Sequence, residues 1–172
     1  MNVGTAKRVA MADLRLLVGD LGYGDPRTLL NSGNVVYSAP GVTPAVAAAR
    51  IEAALAGRLG VSCRVVALSA AELAESVAVE PFAGVAVDPS RLLVAVPAEP
   101  RALAALAPLA ARDWGAEALA LARRVAYLWC PDGVLASRVS AAVNAALGDG
   151  VTSRNWTTMV KLSALAAVGT MH

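Results

Sequence analysis

At 172 residues, 57 % hydrophobic and 16 % charged, the chain holds one domain or two small ones with ample core material, which excludes a largely disordered protein. A net charge of +2 is too small to point to nucleic acid by itself. Mean hydropathy is +0.57, yet the most apolar stretch, 92–111, is interrupted by Pro97, Glu99, Pro100, Arg101 and Pro108, so no run of about 18 apolar residues exists to span a bilayer.

The opening residues, Met1 to Val9, read as a loop. Met11, Leu14, Leu17, Val18 and Leu21 recur at helical spacing, and Gly22 stands where a helix C-terminal glycine belongs. Asp25-Pro26 is a turn. Short strands are predicted at Thr28–Leu30 and Val35–Ser38, joined by Asn31-Ser32-Gly33-Asn34, residue types that tolerate a hairpin's left-handed positions. Thr43 caps a helix opened by Pro44 and ended by Gly60. A strand is expected over Cys63–Leu68. Ser69 then caps a short helix, with Glu72 at the capping-box position. Periodicity is lost from Pro81 to Pro89, so 81–90 reads as a linker.

Beyond it, Leu92–Val96 is a strand and Glu99-Pro100 opens a helix through Leu109. Glu117–Ala122 and Val125–Trp129 form a hairpin. A helix is expected over Val134–Leu147, a strand over Asp149–Thr152 and a last helix over Asn155–Val168. The second half thus reads β-α-β-β-α-β-α and the first α-β-β-α-β-α, which agree if the first lacks its opening strand. The expected fold class is α+β: a tandem duplication of ferredoxin-like, split βαβ units, with a truncated first unit over 1–80 and a second unit plus C-terminal helix over 91–172.

Some chemistries are excluded outright. The only His is His172, the last residue, which removes His-based triads and His-metal clusters. Cys63 and Cys130 lie far apart in apolar runs and read as buried reduced thiols. There is no phosphate-binding glycine loop, no metal-ligand spacing and no nucleophile elbow, so neither metal nor cofactor is expected and no catalytic residue stands out. Without a signal-peptide pattern the chain is expected to be cytoplasmic, and nothing in it addresses oligomeric state.

The densest polar and aromatic cluster is Thr152-Ser153-Arg154-Asn155-Trp156-Thr157, just ahead of an apolar-periodic run. Structurally, Asn155 or Ser153 would cap the helix and Trp156 would pack. Functionally, a helix N-terminus beside an arginine fork suits an anion. Ser32 and Asn34 on the hairpin offer a second polar lip, and Ser137 with Arg138 a further anion contact; the plainer readings are a hairpin tip and a first-turn serine. Tyr127 and Trp129 share a sheet face next to Arg123-Arg124, the arrangement RNA-binding sheets use for stacking, although the accompanying basic-glycine-aromatic signature is absent.

Asn2-Val3-Gly4, Met11-Ala12-Asp13-Leu14-Arg15, Ser32-Gly33-Asn34-Val35-Val36-Tyr37, Tyr127-Leu128-Trp129 and Thr152-Ser153-Arg154-Asn155-Trp156-Thr157 together resemble a bacterial family known as domain of unknown function 1697. The resemblance runs over the whole chain and implies a tandem ferredoxin-like fold with no assigned activity. It also implies that Asn2 could join the polar site. Members of the family usually begin earlier, with an apolar strand ending Leu-Arg-Gly. The expectation is therefore about ten further upstream residues, roughly one strand and its turn. Ser153 also stands where a Thr is usual. The candidate ligand-binding set is Asn2, Ser32, Asn34, Ser137, Thr152, Arg154, Asn155 and Trp156. The expected role is binding a small anionic or phosphorylated ligand, with catalysis on such a metabolite open beside it. The alternative is an RNA-binding or protein-interaction module built on the second sheet.

Overall fold

The computed structural model describes residues 9–78, 81–82 and 84–169. Asn2 and the expected upstream strand lie outside this range. The chain divides into two compact units, one formed by residues up to Ala70 together with those from Leu162 onward, the other by Ala71–Lys161. The described residues hold two antiparallel sheets and six α-helices, an α+β architecture. No helix among them is long and apolar enough to cross a membrane.

In the first unit, α1 (Met11–Asp20) buries Leu14, Leu17 and Val18, the positions its helical spacing marked. Two strands follow, β1 (Gly24–Leu29) and β2 (Asn34–Ser38), paired antiparallel with Leu29 opposite Asn34. The ladder is irregular between Gly24 and Arg27, where Asp25 takes a positive φ of 46° ahead of Pro26. Next, α2 (Pro44–Leu59) starts at Thr43, whose hydroxyl accepts from Val46 N–H, and stops at Gly60 in the left-handed conformation. Its Ala47, Ile51 and Leu55 close on α1, with Tyr23, stacked 5.0 Å from Tyr37, completing that core.

The strand expected over Cys63–Leu68 does not form. A strand requires ladder partners, and here the Val65 N–H is taken instead by the Glu52 carboxylate of α2 at 2.6 Å. Cys63 and Val65 still pack against the core, so the apolar pattern is met by burial without a ladder.

The second unit opens with α3 (Ala70–Ala78) and continues to β3 (Leu92–Pro97), buried at all six positions. The helix expected after Glu99 is a 3-10 segment, Pro100–Leu106, running into the single turn α4 (Ala107–Ala110). Pro108 has no N–H to return to Ala104, and the Ala104 carbonyl is taken by Ala107 in the tighter register. The hairpin of β4 (Ala118–Leu121) and β5 (Ala126–Trp129) then forms as expected. The next helix, α5 (Arg138–Leu147), begins four residues later than its apolar pattern suggested; residues 134–136 belong to turns, and Leu135 is fully exposed. Strand β6 (Val151–Asn155) runs three residues further than expected because it pairs with β3 through Leu93 opposite Asn155, and α6 (Trp156–Gly169) follows at once.

The strand order is β4-β5-β3-β6, antiparallel throughout, with β3 central. One face carries Leu93, Ala95, Leu128 and Val151, packed against Leu103, Leu106, Val139 and Val143 of the 3-10 segment and α5. Alternation puts Val94, Tyr127 and Arg154 on the other face, where they stand opposite one another across β5, β3 and β6.

Candidate functional site

Strand β6 carries the polar cluster. Val151 goes into the core, so the period of two sends Thr152 and Arg154 to the opposite face. Arg154 is largely shielded there, and burial pulls its pKa below the usual arginine value. Its Nη1 donates to Thr152 Oγ1 at 2.9 Å and to the Ser153 carbonyl at 2.8 Å, so the guanidinium folds back along its own strand. The next residue changes the backbone from strand to helix. Asn155 Oδ1 accepts the Thr158 N–H at 2.9 Å, which makes Asn155 the cap of α6. The Trp156 ring lies 6.3 Å from Tyr127, tilted by 54°, and is only half-buried. Thr152, Arg154, Asn155 and Trp156 therefore form one contiguous polar and aromatic cluster at the junction of β6 and α6.

Ser137 is not part of it. It begins α5, on the sheet face opposite Arg154, and caps that helix through Ser140 N–H. The anion it was expected to contact is supplied by the protein itself. Glu117 Oε2 accepts from Ser137 Oγ at 2.6 Å and from Val139 N–H at 3.0 Å, while Oε1 accepts from Arg138 N–H at 3.1 Å. Burial pushes the Glu117 carboxyl up, but the Ser137 hydroxyl, the two backbone N–H groups and the Arg138 guanidinium outweigh it and hold the carboxyl below the usual range. Arg138 also donates to the Trp114 carbonyl at 2.9 Å. No local signal in the sequence pairs Glu117 with a helix start twenty residues away.

Ser32 and Asn34 belong to the hairpin of the first unit. Asn34 is buried, and its Nδ2 donates to the Leu29 carbonyl at 3.1 Å and to Ser32 Oγ at 2.9 Å, bracing the loop in which Leu30 and Gly33 take positive φ. These bonds give both residues a structural task within the turn.

Tyr127 and Trp129 are each only 5 % exposed, so neither ring offers a face on which a base could stack. Tyr127 Oη donates to the Ser76 carbonyl of α3, and Arg124, itself buried, donates to the Pro97 carbonyl at 2.6 Å and pairs with Glu72 at 3.3 Å. The basic-aromatic pattern thus contributes, at Arg124 and Tyr127, to holding α3 on the sheet. Among the described residues no group of three or more His, Cys, Asp or Glu side chains could hold a metal ion.

The family model described as "Protein of unknown function (DUF1697)" matches residues 1–127. Among solved structures, the conserved bacterial protein SP0830 from Streptococcus pneumoniae is similar, with a TM-score of 0.70 and 18 % identity over 96 % of this chain and 93 % of that one. At that identity the likeness speaks for the fold alone. No curated protein matches the chain.

Proposed function

We propose, for a chain that belongs to the family of unknown function DUF1697, a role in binding a small anionic ligand, phosphorylated or carboxylated, at the β6–α6 junction. The observation that carries this reading is the placement of a largely buried guanidinium, Arg154, one residue ahead of the cap of α6. A helix N-terminus carries partial positive charge and several N–H groups outside the helical ladder, and the Asn155 side chain takes that of Thr158. Arginine adds a planar pair of donors that matches phosphate or carboxylate. Thr152 supports the guanidinium from the preceding position on the same face. Trp156 supplies a half-buried ring against which the rest of a ligand could lie. We read the two units as a duplicated α+β arrangement in which the second carries this site.

The chemistry favours binding and charge stabilisation over proton transfer, because the contiguous site residues include no carboxylate and no imidazole. The test is a thermal-shift series with inorganic phosphate and a panel of phosphorylated and carboxylated metabolites, since a ligand that binds the native state raises its melting temperature. The expected result is a dose-dependent rise for wild type that Arg154→Met abolishes. Equal rises in both proteins, or none in wild type, would sink the reading.

A further inference from the structure

The second unit holds another cleft, formed where the start of β3 meets the loop between β5 and α5. Its volume is about 480 Å³, within the range of small-ligand sites, and it is open to solvent. Its lining is divided by chemistry. Arg91 supplies a positive group, Asp132 a negative one, and Leu93, Val134 and Leu135 supply apolar surface. Leu135 is fully exposed and Val134 about half exposed, so both present apolar surface at the open rim of the cleft.

Backbone geometry sharpens the positive end. Gly133 has φ of +94°, and a Cβ built on it would stand 2.5 Å from Arg91 Nη1. Glycine there lets the guanidinium lie directly on the loop. The loop is closed by Gly133 N–H to the Cys130 carbonyl, Ala136 N–H to Gly133 and Ser137 N–H to Val134. None of those bonds uses the N–H of Val134 or Leu135, which leaves both groups to solvent or to a ligand, next along the chain from the Gly133 that Arg91 lies against. Asp88 pairs with Arg91 from the Nε side at 3.8 Å and offsets part of its charge, while Nη1 lies against the loop at Gly133.

We propose that this cleft binds a free apolar amino acid as its zwitterion. Arg91 and the Val134 and Leu135 N–H groups take the carboxylate, Asp132 takes the ammonium, and Leu93, Val134 and Leu135 hold the branched side chain. A simple anion fits less well because it would meet the Asp132 carboxylate with nothing to offer it. A simple cation would face Arg91 in the same way. The zwitterion alone satisfies both ends of the lining. This proposal is independent of the β6–α6 site.

The experiment is a titration of the isotopically labelled, full-length chain with L-leucine, followed by NMR at the amides of Val134 and Leu135. L-leucinamide, which lacks the carboxylate, and 4-methylpentanoate, which lacks the ammonium, serve as paired probes on the same wild-type protein. Leucine is expected to bind at least about tenfold more tightly than either, the loss of one charge-assisted contact. Arg91→Ala should weaken leucine by a similar factor with the melting temperature held. Asp132→Asn should weaken leucine while leaving 4-methylpentanoate equal or better. Absent shifts at Val134 and Leu135 with leucine, or leucinamide binding as tightly as leucine, would overturn the proposal, and neither outcome depends on a variant folding.

Discussion

Two helices begin within the second unit on polar residues, and they settle their N-termini in opposite ways. At α5 the partial positive charge is met by a full negative one: Glu117 accepts from the cap hydroxyl and from two backbone N–H groups. At α6 the cap is a neutral amide, Asn155, and the adjoining charge is the Arg154 guanidinium, whose Nη1 bonds go to a hydroxyl and a carbonyl. The first start is closed electrostatically by the chain itself. The second takes its cap and its adjoining charge from neighbouring residues of one segment. The difference teaches that a polar helix start read from sequence does not reveal whether a carboxylate from a distant segment will close it, as Glu117 does at α5.

The strongest way to break this contrast is to remove the staple. Glu117→Ala should cost about 3 kcal/mol, because Ser137 Oγ and two N–H groups lose a charged acceptor in a mostly buried place. Chemical denaturation measures it, and a loss below about 1 kcal/mol would mean water replaces the carboxylate freely. The same group gives a pH signature. Its folded pKa lies below the unfolded one, so its stabilisation is complete above the unfolded value near about 4.3 and is lost as pH falls through the folded value. The stability advantage of wild type over Glu117→Gln should therefore shrink as pH is lowered from about 5. A difference that stays constant down to the acid transition would contradict the ionised role.

At α6 the expected effects on stability are smaller. Trp156→Ala should cost about 2 kcal/mol, less than a fully buried tryptophan, because the residue keeps some exposure beside Tyr127. A melting temperature that barely moves would show that the ring contributes little to packing and is better placed to stack on a ligand. Asn155→Ala removes a single cap and should cost about 1 kcal/mol, with Asn155→Asp close to neutral or better. Arg154→Met keeps the apolar stem and should change stability least, by under about 0.5 kcal/mol, while removing the melting-temperature rise with phosphate or carboxylate ligands. A large stability loss there, with the ligand response intact, would take Arg154 out of the proposed ligand site and give it a structural role like that of Glu117.

The sequence by itself determined the elements whose signals are local. Thr43, Pro44 and Gly60 fixed both ends of α2, the spacing of Leu14, Leu17 and Val18 fixed the buried face of α1, and the apolar run Leu92–Val96 fixed the central strand of the second sheet. Each rests on backbone preferences or on a period that a single segment carries whole. Of the candidate site, the contiguity of Thr152, Arg154, Asn155 and Trp156 and the cap at Asn155 were legible for the same reason. The tertiary structure decided what depends on partners distant along the chain. Cys63–Leu68 has a strand's composition but no strand, the Val65 N–H going to a carboxylate of α2 instead. Tyr127 and Trp129 look like a stacking face and are buried. Strand β6 reaches Asn155 because β3 continues beside it, and Ser137 meets Glu117 because the sheet and α5 carry them together. A hydrogen bond needs both its donor and its acceptor in place, and a sequence read segment by segment supplies only one of them.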